Sequence, residues 1–317
     1  MRWIKWFIVL GFVLVATACT EKTDEEKGND EMSFESEQFG ELFLKGDFER
    51  IYGQTSGAFQ EAVSFGEFES LGIQWNEGVN EYEQIKSLSF QGLDESLWLS
   101  DTKDKGIRVY FDEESTIQGL QVLPITNEIS DAEFATKNTY QYPINEEMFV
   151  FWGGHNELVN YHYALESQRY AYDLVQVEDR FTYEGSGTEN ENYFVFGKEV
   201  LAPLEGIVVS IENSIYDNQP NIEMNAEQPL GNYVIIKHQH DEYSVLAHFK
   251  EGSIVVQEGD EVESGQLLGL VGNSGNSSEP HIHYHVSNDE SGLAGQSLNI
   301  QFVAEQQVER GDQITGF

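Results

Sequence analysis

Apolar residues from Ile144 to about Val303 come in short alternating runs, each closed by Gly, Asn, Asp or Pro. The runs include Glu147 to Trp152, Val200 to Glu212, Tyr233 to His238, Tyr243 to Phe249, Leu267 to Val271 and His281 to Val286. Alternation places successive side chains on opposite faces of an extended backbone. Turn residues at such regular intervals leave little room for helices, so this region is expected to be mainly β, built of packed antiparallel sheets. His238 to Glu242 lies between two of the runs and is expected to close a hairpin.

The N-terminal half is written differently. Arg2 and Lys5 precede an apolar run from Trp6 to Val15, and Ala16-Thr17-Ala18 leads into Cys19. This is the pattern of a signal peptide over residues 1–18, too short in its apolar part to span a bilayer stably. A cysteine directly after the small residues resembles a bacterial lipobox. That resemblance implies lipidation of Cys19 and a lipoprotein tethered to the membrane, facing the outside of the cell. Residues 19–32 are charged and almost free of large apolar side chains, as expected of an acidic tether. From Phe34 the apolar residues recur at helical spacing through Leu71, and the period then shortens over Tyr82 to Leu123. A small α+β domain over residues 33–125 is therefore expected, with its Trp and Phe residues forming a core. Residues 126–143 are polar and read as a linker to the third segment, residues 144–317.

Charge excludes one class of partner. The 317 residues hold 17 basic and 56 acidic side chains, a formal net charge of −39, and removal of residues 1–18 takes away two more cations. Nucleic acid is not an expected partner, because phosphate binding needs basic patches. Membrane attachment through protein charge is equally disfavoured, which leaves the lipid to do it. Cys19 is the one cysteine, so neither a disulfide nor a cysteine metal site is available, and any metal must be held by His and carboxylates.

Three clusters supply such groups. In Pro280-His281-Ile282-His283-Tyr284-His285 the three imidazoles are two residues apart, so a strand carries them on one face. His248 ends the alternating run that begins at Tyr243. Asn160-Tyr161-His162 is followed by Tyr172-Asp173-Leu174, adding an imidazole and a carboxylate of the kinds that tetrahedral zinc accepts.

In combination and in order along the chain, these clusters resemble the LytM/lysostaphin-type zinc metallopeptidases. That family carries a His and a downstream Asp, then a strand-borne His, then a Pro-His-x-His strand. Val200 to Val208, Gly231 to His238 and Glu258 to Gly275 also resemble its glycine-punctuated segments, and the likeness spans about residues 145–303. It implies zinc as cofactor, His162, Asp173 and His283 as its ligands, and His281 and His248 as catalytic residues. Two positions depart from the pattern. Ten residues, Tyr163 to Tyr172, separate His162 from Asp173, a longer spacer than is usual, which makes His155 a competitor for the first ligand. His285 stands where the family more often has Glu.

The function implied is that of a zinc metalloendopeptidase acting on stem peptides or cross-bridges of peptidoglycan, outside the cell. The wall substrate rests on the resemblance alone, since so acidic a chain is no obvious match to an anionic wall. A catalytically inactive relative acting as a binding or activator module is the alternative. The glycine-rich segments also occur in biotinyl and lipoyl carriers, but no Met-Lys hairpin appears near residues 238–248.

Overall fold

The computed structural model describes residues 33–126, 131–303 and 308–317. The expected signal peptide, Cys19 and the acidic tether lie outside the described residues. The chain divides into two compact units between Asn127 and Glu128.

The first unit begins with four helices, α1 (Phe39–Lys45), α2 (Phe48–Gly53), α3 (Gly57–Ala62) and α4 (Phe65–Trp75). Local signals set their ends. Gly46, at φ 77°, stops α1. The Ser56 hydroxyl accepts the Phe59 N–H at the start of α3, and Ser64 and Glu67 form a reciprocal cap on α4. An antiparallel meander follows in the order β1 (Tyr82–Phe90), β2 (Leu93–Ser100), β3 (Lys105–Phe111) and β4 (Ile117–Pro124). Phe39, Phe43, Phe48, Ile51 and Phe68 of the helices pack with Trp98, Ile107, Val109 and Phe111 of the sheet. The aromatic residues of this unit are thus core, with Phe43 touching the rings of Phe48, Phe68 and Tyr82.

The second unit is mainly β. Its strands are β5 (Ala135–Tyr140), β6 (Met148–Trp152), β7 (Tyr172–Val175), β8 (Glu199–Leu201), β9 (Gly206–Glu212) and β10 (Asn232–Lys237), then β11 (Tyr243–Phe249), β12 (Glu261–Val262), β13 (Leu267–Leu270), β14 (Ile282–Ser287), β15 (Ser297–Phe302) and β16 (Gln313–Ile314). The large sheet runs β12-β9-β10-β11-β14-β7-β6-β16, with β15 paired to β14, and β8 and β13 form a second small sheet. The hairpin expected at His238 to Glu242 joins β10 to β11.

Residues 126–143 do more than link. Ala135–Tyr140 is a strand, paired in parallel with β15. It escaped the alternation argument because polar bonds, not apolar side chains, hold it. The buried carboxylate of Glu242 accepts from the Lys137 and Asn138 backbone N–H groups, the Asn138 side chain and the Tyr140 hydroxyl. Four bonds to one buried acceptor thus fasten a segment whose apolar contribution to the core is Tyr140.

β14 is central and buried along its whole length. Ile282, Tyr284 and Val286 face the main core, together with Leu174 and Tyr172 of β7 and Leu246 of β11. The opposite face carries His283 and His285, next to a smaller apolar cluster that includes Leu230, Val245 and Ala247. One strand therefore serves the core with one set of alternate residues and presents chemistry with the other.

Candidate metal centre

Strand register brings the first two groups together. His283 of β14 lies directly opposite Asp173 of β7, so both side chains rise from the same face. His283 Nδ1 is 2.9 Å from Asp173 Oδ1. The third group comes from the segment before β7, where Tyr161–Ala164 forms a 3-10 turn capped by Asn160. His162 Nε2 lies 3.6 Å from Asp173 Oδ2. The His162, Asp173 and His283 donor atoms all lie within 4.8 Å of one another, and all three residues are buried.

Asn160 explains why a ten-residue spacer still delivers His162 to Asp173. Its amide N–H groups donate to the carbonyls of Gly154, Arg169 and Ala171, which ties together both ends of the spacer. With its NH₂ so committed, its Oδ1 accepts from the His162 backbone N–H and from His162 Nδ1. His162 therefore carries its proton on Nδ1 and turns a bare Nε2 towards Asp173.

His248 reaches the site through a break in alternation. It has φ 69°, a left-handed conformation that non-glycine residues seldom adopt. The register between β10 and β11 shifts beside it, with Tyr233 opposite Ala247 and Asn232 opposite Phe249. Its ring centroid lies 4.7 Å from that of His281 and 5.9 Å from that of His283. The bulge is held from both sides by motif residues. Asn232 donates its amide N–H groups to Phe249 and Ile215 carbonyls, and Ser274 Oγ accepts from Asn232 N while donating to Phe249 O. A Cβ on Gly231 would fall 2.4 Å from the Ser274 carbonyl carbon, so the close approach of these two segments requires glycine there.

Both flanking histidines are held in one tautomer. His248 Nδ1–H donates to Ser274 O at 2.8 Å, and His281 Nδ1–H donates to Glu279 O at 2.8 Å. Each therefore turns its Nε2 towards the site, and that of His281 lies 3.7 Å from Asp173 Oδ1. A cavity of about 40 Å³, lined in part by His162, His248, His283, Leu230 and Asn276, opens among them. It has room for an ion and a water or two.

Burial dominates the electrostatics. It lowers His283 to about 4, and it holds His162 and His248 well below the ordinary imidazole value, with the neighbouring imidazoles adding to the effect. Burial raises Asp173 to about 6, against a smaller opposing pull from His281. Near neutral pH the site thus holds an ionised carboxylate facing neutral imidazoles, without the counter-charge that a buried anion needs. A divalent cation bound by nitrogen and oxygen would supply it, and the His, Asp and His donor set suits zinc with a coordination position to spare.

The structure brings His162, Asp173, His283, His281 and His248 together. His155 lies elsewhere, with its Nε2 3.2 Å from Asn299 Oδ1 and its ring beside Tyr170. His285 shares the face of His283 but sits behind it rather than at the ion site, with its Nδ1 2.9 Å from His283 Nε2. Asn160 and the Asn232–Ser274 pair were not singled out in the sequence. Asn160 adjoins the His162 cluster, and Asn232 and Ser274 lie inside the segments that carry the resemblance, but nothing in the sequence assigns them partners.

Residues 193–300 match peptidase family M23. The chain carries an M23 peptidase domain. His248, His281 and His283 fall within the matched residues, while His162 and Asp173 precede them. The peptidoglycan DD-endopeptidase ShyA of Vibrio cholerae is 32% identical over 90 residues, which are 28% of this chain and 17% of that protein. An uncharacterized metalloprotease of Buchnera aphidicola is 32% identical over 108 residues, 33% of this chain and 28% of its own. The chain thus spans less than a third of either relative. Among solved structures, the catalytic domain of the prophage-encoded M23 protein EnpA from Enterococcus faecalis aligns at 20% identity and a TM-score of 0.31, covering 53% of this chain and 95% of that one. The catalytic domain of lysostaphin from Staphylococcus simulans aligns at 18% identity and a TM-score of 0.28, covering 48% of this chain and 88% of that one. The M23 domain here is mainly β and follows a smaller α+β unit.

Proposed function

We propose that this chain is a zinc-dependent metalloendopeptidase that hydrolyses peptide bonds in the stem peptides or cross-bridges of peptidoglycan. One observation carries the proposal. The buried carboxylate of Asp173 and the imidazoles of His162 and His283 converge with donor atoms all within 4.8 Å of one another, and the rings of His281 and His248 stand beside them. The substrate is supported by the name of the Vibrio relative and by the export pattern in the sequence. Placement outside the cell with a lipid at Cys19 belongs to the same proposal and rests on the sequence.

In this reading His162, Asp173 and His283 hold the metal. Zinc bound there supplies Lewis-acid polarisation of the scissile carbonyl and acidifies the attacking water. His281 takes the proton of that water on Nε2, while the Glu279 carbonyl steadies the resulting imidazolium through Nδ1–H. His248 starts as an acceptor at Nε2, since Ser274 O holds its proton at Nδ1. The proton that His281 has taken is the one the leaving amine needs, and His248, its ring 4.7 Å from that of His281, donates to the oxyanion or the amine only after receiving it.

Digestion of purified muropeptides, read by mass spectrometry with and without a chelator, tests the function. Cleavage at a peptide bond that stops on chelation and returns with zinc is expected. Zinc uptake without cleavage of any muropeptide would favour the inactive module.

Zinc uptake is also expected to release protons in a pH-dependent way. With its carboxyl raised to about 6, Asp173 of the metal-free protein is mostly protonated near pH 5 and mostly ionised near pH 8. A ligand must be deprotonated to bind, so Asp173 gives up about one proton at the lower pH; at the higher pH it gives up almost none, and the water acidified by zinc supplies the proton released instead. Calorimetry in two buffers of different ionisation enthalpy measures the release near pH 5, and uptake of zinc there with no proton released would contradict it.

A further inference from the structure

We propose that His285 and the backbone carbonyl of Gly292 lock His283 in the one tautomer that leaves its Nδ1 bare for the metal. The inference rests on the zinc reading above, but it concerns residues that bind no metal themselves. His285 Nε2 lies 2.8 Å from Gly292 O. A carbonyl only accepts, so Nε2 of His285 carries the proton and its Nδ1 is left as an acceptor. That Nδ1 lies 2.9 Å from His283 Nε2, and one of two ring nitrogens in contact must donate. The donor is therefore His283 Nε2–H, and the lone pair of His283 falls on Nδ1, facing Asp173 Oδ1 at 2.9 Å. Gly292 O sets the direction from one end; at the other, an ionised Asp173 also only accepts, and a cation between Nδ1 and Oδ1 is what relieves the conflict.

The alternative tautomer would close the site. With its proton on Nδ1, His283 would donate to Asp173, and two ligands would satisfy each other with a hydrogen bond in place of the cation. His285 opposes that state, because flipping the proton of His283 would set two bare nitrogens against each other inside the domain, where His285 is wholly buried. His285 is thus a positioning residue that acts through His283.

The fixed acceptor is delivered by the hairpin between β14 and β15. Asp289 shapes its tip, its carbonyl accepting from Gly292 N and its carboxylate from Ser291 N. Gly292 has φ 75°, and a Cβ there would fall 2.8 Å from Val245 Cγ2. Only glycine lets this turn fold against β11 with its carbonyl aimed at His285. A loop that contributes no ligand thereby sets the protonation pattern of one.

Two measurements on the folded full chain test the lock. In nitrogen-resolved NMR of the metal-free wild type, both His283 and His285 are expected as Nε2–H tautomers; His283 found as the Nδ1–H form would overturn the proposal. Zinc affinity, read by competition with a chromophoric chelator, is expected to fall about 10–100-fold in His285→Leu. It should recover in large part in His285→Asn, whose Oδ1 can accept from His283 Nε2–H. Wild-type affinity in His285→Leu would also overturn it. A wild type that takes up no zinc refutes the metal reading, and the tautomer spectrum then judges the lock alone. Should the Leu variant fail to fold by circular dichroism, that wild-type spectrum again decides.

Discussion

Asp173→Ala is expected to lose zinc while keeping its fold. A metal site with apparent binding of about 10–16 kcal/mol shared among a few ligands loses roughly 3–4 kcal/mol with one of them, some hundredfold to a thousandfold in affinity. Asp173 should fall at the upper end, since it is the only carboxylate among the three donors. The same substitution removes a buried carboxyl whose ionised form burial penalises, so the metal-free variant is expected to unfold at equal or higher denaturant than the metal-free wild type. Zinc content after dialysis, together with urea unfolding of the two stripped proteins, measures both effects. A variant that retains one zinc per chain would remove Asp173 from the metal site. One that simply fails to fold would show the carboxylate to be structural.

His281→Ala is expected to separate chemistry from metal binding. Its Nε2 faces the site, but its donor atom is not among those that converge on the ion position. Loss of a positioned general base costs roughly 10²–10⁴ in rate, so kcat on a muropeptide substrate should drop by that factor, with zinc still bound at one per chain. KM should change little, because the proton is moved in the transition state and not in substrate binding. Loss of zinc along with activity would instead make His281 a ligand. Full activity with full zinc would pass the role of base to His248, whose bare Nε2 makes it the other acceptor at the site.

What could be read in advance follows from periodicity. Residues two apart on a strand share a face, so His281, His283 and His285 were bound to appear together once His281 to Val286 was read as extended. Asp173 was readable through the family resemblance, since taken alone it could equally have been a turn carboxylate. Three features were not readable, each for a physical cause. The strand Ala135–Tyr140 has no alternation, since Glu242, distant in sequence, satisfies its polar groups. His248 turns into the site only because its backbone leaves the β region, and no residue type announces a bulge. The choice of His162 over His155 depends on Asn160 joining the Gly154 carbonyl ahead of it to those of Arg169 and Ala171 in the spacer, contacts that spacing alone does not encode.

The division of β14 between two faces bears on how such a chain would change over generations. Ile282, Tyr284 and Val286 hold the core, while the imidazoles on the reverse add buried polar groups that apolar side chains could replace without disturbing it. Drift at His281, His283 and His285 would meet little resistance from folding, and in a metal-free background some replacements would gain stability. Inactive descendants of this scaffold are accordingly cheap to produce. With stability pulling the other way, folding alone would not maintain the set of His162, Asp173, His248, His281 and His283 in one buried cluster.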